Sequence, residues 1–247
     1  MSYMGSIFEA LGRQAGKAMK KGQWIYRSVF GTEEEAIEAE RILGQELDHQ
    51  LRSQSQLLDD EVLQNKIQEM GSELSACLDD NQRQFRFNIV RSHEINAFAL
   101  PGGYIYFTSG LLNAGRFKTA EIAFIMAHEI GHVVRGHPFD RVLAQSSIGF
   151  ISKITRAGGA LGRLAQPVLM KLLRSNYSQT QELDADLFAV QLMSAAGYDP
   201  EFGASSLERL RQLNKTAPKL FNYFSTHPEI EERIREVNFY RRKYWKN

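Results

Sequence analysis

Apolar positions recur with a helical period over most of the chain and with a strand-like pattern over one short stretch. Met4, Ile7, Phe8, Leu11, Ala15, Ala18 and Met19 fall on one face of a helix, with Arg13, Lys17, Lys20 and Lys21 largely opposite. A basic amphipathic helix is predicted there. Thr32 followed by Glu35 has the spacing of a capping box, and it opens an acidic helical region to about Leu57. A second acidic helix is predicted from about Asp59 to Leu78. The pattern then changes: Phe85–Arg91, Asn96–Leu100 and Tyr104–Thr108 read as short strands, with Pro101, Gly102 and Gly103 as a turn. Three such strands in a row predict a small antiparallel or mixed sheet. Helices are predicted from about Thr119 to Arg135, stopping at Gly136, and from about Ser178 to Ala196, stopping at Gly197. Asp199 and Pro200 start the next helix, and further helices fill the C-terminal part. Residues 142–175, rich in small and basic residues, give no clear fold. The expected class is α+β, mostly helical with one small sheet.

Composition narrows the possibilities without naming a function. The 247 residues are 43% hydrophobic, which excludes global disorder and suits one large domain or two small ones. A single cysteine, Cys77, rules out an intrachain disulfide and any zinc site built on thiolates. No apolar stretch approaches the ~18 to 20 residues that span a bilayer, and no signal peptide opens the chain. The expectation is a cytoplasmic or peripheral membrane location, or a periplasmic one if a leader was removed. The 30 basic and 29 acidic side chains are strongly segregated. Residues 1–31 carry a net charge of +4, residues 33–80 a net −11, and residues 141–181 a net +6 with no carboxylate at all. The basic start is a candidate contact for an anionic membrane surface, whereas no motif for nucleic-acid binding accompanies the basic segments.

The chemistry concentrates in His128-Glu129-Ile130-Gly131-His132. Two histidines four apart on one helix stand one turn above each other, so both imidazoles reach one ion, with Glu129 beside them to deprotonate an activated water. Zinc fits imidazole and carboxylate ligands around an open position. The preceding residues, Ile122 to Ala127, are apolar nearly all round, and a buried helix carries such polar groups only if they are paired. A third histidine six residues after His132 is excluded, because Pro138 stands there. A later carboxylate is the alternative. Glu182 and Asp186 are four apart on one helical face, so one can bind the metal while the other orients a ligand histidine. Asp184 points elsewhere and is expected to be solvated; His49 and His93 are expected to be structural or surface residues.

These segments, with Asn96-Ala97-Phe98-Ala99-Leu100-Pro101-Gly102-Gly103 upstream and Thr226-His227-Pro228 downstream, resemble the gluzincin endopeptidases. That family includes HtpX-like heat-shock proteases, periplasmic quality-control proteases and CAAX-prenyl endopeptidases. The resemblance runs from about Gly31 to the C-terminus, which implies residues 1–31 as a separate basic segment and residues 32–247 as one zincin-type metallopeptidase domain, its small sheet beside the active-site helix. It implies one Zn2+ per chain held by His128, His132 and Glu182, Glu129 as general base and acid, and Asp186 supporting a ligand histidine. It further implies Asn96, Ala97, Phe98 and Ala99 on a substrate-binding strand, His227 as an oxyanion stabiliser, and polypeptide substrates that are unfolded or membrane-associated. His137 matches a frequent family position without a derivable role, and Gln179 stands where an arginine is common. The alternative reading is a zinc-binding chaperone or binding module whose cleft is plugged by residues 142–175.

Overall fold

The computed structural model describes residues 32–78, 82–114, 116–145, 162–217 and 223–244. The predicted N-terminal amphipathic helix and much of the basic 142–175 stretch lie outside the described residues. The chain opens with α1 (Glu33–Gln54), where Thr32 accepts from the backbone of Glu35 and the Glu35 side chain returns the contact, the capping box its spacing predicts. α2 (Glu61–Ser75) follows, capped by Asp60.

Three strands come next, β1 (Arg86–Val90), β2 (Ala97–Leu100) and β3 (Tyr104–Thr108), in the order β1-β3-β2. β3 is parallel to β1 and antiparallel to β2, so the sheet is mixed. Residues 56–58 cover part of the outer edge of β1: Leu58 donates to the Ile89 carbonyl and Arg91 to that of Gln56. Between β2 and β3 the chain turns through Pro101–Gly103 as a single 3-10 turn in which Gly102 and Gly103 take positive φ. A Cβ at Gly103 would also lie 2.3 Å from the Gln84 carbonyl oxygen, so this turn needs glycine for both backbone and space.

Every residue of β3 is buried because both faces of the sheet are covered. Ile105 and Phe107 join Phe87, Ile89 and the apolar residues of α2 in one core cluster. Tyr104 and Tyr106, one residue out of phase, pack into a second cluster with Leu43, Leu47 and Leu51 of α1. The short α3 (Ser109–Ala114) leads to α4 (Thr119–Val134), whose residues Glu121 to Val133 are all buried. α4 lies against β2, β3 and α2 on one side and against α7 (Gln179–Ala195) and α8 (Glu201–Thr216) on the other. α5 (His137–Gln145) and α6 (Gly162–Arg174) supply Phe139, Val142, Leu143, Leu169 and Leu172 to the second cluster. The single turn α9 (Tyr223–Thr226) and α10 (Ile230–Tyr244) complete the fold. Among the described residues no helix is long and apolar enough to cross a membrane.

One half-buried carboxylate in this framework has an oxygen without a hydrogen bond among the described residues. The Oδ1 of Asp140 on α5 is buried and finds no donor among the described residues. Burial pushes its carboxyl up to about 7, and the charge of Glu40 adds to the effect. Between about pH 4 and pH 7 the folded protein therefore holds a proton that the unfolded chain releases, and stability falls as pH rises through that window. Asp140→Asn should raise Tm at pH 8 by roughly 2–4 °C, the equivalent of about 1 kcal/mol, with the gain shrinking as pH falls and vanishing only at about pH 4. Thermal melts across pH check this; a gain that stays constant with pH would show that Asp140 does not titrate there.

Candidate metal centre

α4 carries His128, Glu129 and His132 into the middle of the fold, where all three are fully buried. α7 packs across it at close range because residue 131 is glycine. A Cβ there would stand 3.0 Å from the Phe188 ring and 3.3 Å from the Ala185 carbonyl oxygen. Ser178 caps α7 with a capping box, which sets its start so that Glu182 and Asp186, one turn apart, both face α4. Glu182 and Asp186 are fully buried as well.

One ligand atom from each of His128, His132, Glu182 and His227 lies within 4.8 Å of all the others. The Nε2 atoms of His128 and His132 face each other at 3.0 Å. Glu182 Oε1 is 3.3 Å from His132 Nε2 and 3.0 Å from His227 Nδ1. The remaining ring nitrogens are tied from behind. His128 Nδ1 donates to Asp186 Oδ1 at 2.8 Å, which leaves a lone pair on His128 Nε2. His132 Nδ1 meets His137 Nδ1 at 2.8 Å. His137 is held neutral, its pKa pushed down to about 3 chiefly by burial, so it can accept the Nδ1 proton of His132. Both Nε2 lone pairs then point into the same small space, an arrangement that repels itself unless a cation sits between them. The donor set of two imidazoles and a carboxylate fits zinc.

Glu129 adds a second sign of an absent partner. Its carboxylate is wholly buried and neither oxygen has a hydrogen bond among the described residues. Burial pushes its pKa up, and the neighbouring His227 and His128 oppose that. Its Oε1 is 3.5 Å from His227 Nε2. For Glu182, burial works in the raising direction too, but the neighbouring His227 and Arg233 outweigh it and hold the carboxyl well below its ordinary range.

All of the site residues expected at the centre converge here. Asn96 precedes β2, and Ala97, Phe98 and Ala99 lie on it; β2 packs against α4 and is an edge of the described sheet. Asp184, expected in solvent, is instead half-buried and paired with Arg135 at 3.0 Å. His49 and His93 are exposed, and so is Gln179. Several contributors have no sequence motif. Tyr177 stacks on the His132 ring, with centroids 3.7 Å apart, and the Arg141 guanidinium lies 4.0 Å over Tyr177. Tyr223 stacks on His227 at 4.3 Å. Arg233 of α10 is fully buried against Asp186 and Glu182. Its one signal is position: Arg233 falls in register with Ile230, Ile234 and Val237, a guanidinium on an apolar stripe.

A buried two-histidine, one-glutamate centre with an unpaired glutamate beside it defines a metal-dependent hydrolase site. Residues 61–240 match Peptidase family M48, and the chain belongs to that family. Its metal is accordingly zinc. A protein of Vibrio cholerae provisionally named a beta-barrel assembly-enhancing protease is 30% identical over 223 residues, covering 84% of this chain and 45% of its own. Mitochondrial metalloendopeptidase OMA1 of Arabidopsis thaliana is 30% identical over 186 residues, 73% of this chain and 36% of that protein. Metalloprotease LoiP of Escherichia coli is 30% identical over 162 residues, 64% and 63% of the two chains. The chain thus spans between 36 and 63% of the length of these relatives.

The close approach at Gly131 is what puts Glu182 within reach of the imidazoles. Gly131→Val should force α4 and α7 apart, costing about 1–3 kcal/mol and lowering zinc affinity well beyond the loss in stability. A melt together with competition against a chromophoric chelator measures both; wild-type zinc affinity would show that the approach is not needed for the site.

Proposed function

We propose that the protein is an endopeptidase of protein quality control, hydrolysing peptide bonds in unfolded or membrane-associated polypeptides. His128, His132 and Glu182 hold the zinc, Asp186 orients His128, Glu129 is general base and acid, and His227 stabilises the oxyanion. The observation that carries the reading is the pair of Nε2 atoms 3.0 Å apart with Glu182 Oε1 beside them and Glu129 buried without a hydrogen bond among the described residues.

Bound zinc supplies Lewis acidity to the attacking water and to the peptide carbonyl. Glu129 takes the proton of the water as it attacks and returns it to the departing amine. Burial, by raising the proton affinity of Glu129, suits it to hold that proton between the two transfers. His227, whose Nε2 lies 3.5 Å from Glu129 Oε1, can donate to the oxygen on which charge develops. The edge of β2 offers main-chain groups from Asn96 to Ala99 to an extended substrate, which would join the sheet as a further strand.

A second reading has one observation in its favour: His227 Nδ1 stands among the ligand atoms, so it can close the centre as a fourth protein ligand. The protein would then be latent, binding polypeptides without cutting them until His227 withdraws. His137 is not the plug in that reading, since it contacts the rear nitrogen of His132.

Two variants separate these possibilities. Glu129→Gln should retain zinc and lose casein cleavage by about 10³-fold; peptidase activity at the parental level would overturn the assignment of the base. His227→Ala should lower kcat by roughly 10²-fold if the residue stabilises the oxyanion. An increase in cleavage rate would instead favour the latent reading.

A further inference from the structure

Of the three carboxylates buried at the centre, Glu129, Glu182 and Asp186, the last two share one buried guanidinium. Arg233 presents Nε to Asp186 Oδ2 at 2.7 Å and Nη2 to Asp186 Oδ1 at 2.8 Å, a two-point grip on the carboxylate plane. Its third nitrogen, Nη1, is 2.6 Å from Glu182 Oε2, an ion pair by distance whose alignment is not that of a hydrogen bond. Both carboxylates are thereby oriented. Asp186 Oδ1, fixed by the grip, also accepts from His128 Nδ1 at 2.8 Å. Glu182 Oε1 is turned to His132 Nε2 and His227 Nδ1, at 3.3 and 3.0 Å.

From this we infer that Arg233 is a positioning residue that makes Glu182 a one-oxygen ligand and sets the orientation of His128 through Asp186. The inference rests on His128, His132 and Glu182 being the zinc ligands. Charge supports it independently of geometry. Three buried carboxylates carry −3, and Arg233 with a divalent ion supplies +3, so the loaded centre is neutral only with the guanidinium in place. Burial opposes the charge on Arg233, but Asp186 and Glu182 outweigh it, so the side chain stays a cation. Gln179 at the start of α7 is exposed, and the guanidinium beside Glu182 comes from α10.

An arginine that only held α10 to α7 would affect folding and leave the metal geometry alone. A positioning arginine changes how the metal is bound in protein that still folds. Without the guanidinium, both oxygens of Glu182 become available, and the coordination number of a bound ion rises. Co2+ reports this directly, because its visible d–d absorption is strong when four-coordinate and weakens on expansion.

The test uses the full chain as Arg233→Met and Arg233→Lys, each checked for folding by circular dichroism. Zinc affinity is measured by competition with a chromophoric chelator, and the visible spectrum is recorded with Co2+ in place of zinc. Arg233→Met should bind zinc roughly 10–100-fold more weakly and show a weakened Co2+ spectrum. Arg233→Lys, which keeps the charge and lacks the fork, should recover part of the affinity and not the spectrum. Parental affinity and an unchanged Co2+ spectrum in either folded variant would overturn the inference. If Arg233→Met does not fold, Arg233→Lys alone decides through its spectrum. Glu182→Ala is the companion variant: unaltered zinc binding there would refute the ligand assignment itself. A loss in Glu182→Ala with none in the Arg233 variants would refute only the role of Arg233.

Discussion

The contact between α4 and α7 governs the whole centre. Imidazole side chains reach only a few ångströms from their helix, so a carboxylate on a second helix can join them only if the two backbones nearly touch. Gly131, placed between the two histidines, makes that approach possible against Ala185 and Phe188. The rest of the fold holds the pair in position. The sheet and α2 buttress one side of α4, α8 and α10 support the other end, and Ser206 and Arg209 of α8 bind Glu121 near the start of α4.

A close approach of this kind brings an electrostatic problem with it. Glu129, Glu182 and Asp186 are gathered in a space from which water is excluded, and unpaired buried charges are costly. The protein answers with one guanidinium, with histidines tied from behind, and with aromatic rings against the imidazole faces. Tyr177 shows how these supports connect. It stacks on His132, it lies under Arg141, and its backbone donates to the Thr226 carbonyl beside His227. Arg141 in turn holds the Leu172 and Ser175 carbonyls at the end of α6. Ligand helix, flanking helix and His227 loop are therefore one connected unit. Within it, among the described residues, Glu129 is the carboxylate with no hydrogen bond to either oxygen.

Much of the frame is legible in local sequence. Capping chemistry locates the start of α1 and of α7, because Thr32 and Ser178 each pair with a residue three further on by rules that are local. The spacing of His128 and His132 is sufficient for a shared ion, since four residues are about one turn. The strands are legible as well, though periodicity makes the first two a residue or so too long and leaves the mixed pairing open. Nothing local distinguishes a parallel partner from an antiparallel one; the choice depends on which strand occupies the centre. Asp184 escapes a local reading for a similar reason, as its partner Arg135 lies at the end of another helix.

The chemistry of the centre is written into short stretches of chain: two histidines and a glutamate on an apolar helix, two carboxylates one turn apart, and a capped start for the helix that carries them. Helical period and backbone capping set those features, and both act over a few residues. Packing settles which oxygen of Glu182 meets His132 and His227 and which pairs with Arg233. It also settles that His137 backs His132, that His227 enters the ligand cluster, and that Arg233 neutralises two acids more than forty residues distant. A buried charge is oriented by whichever opposite charge shares its cavity, and that partner is chosen by how the helices pack rather than by proximity along the chain.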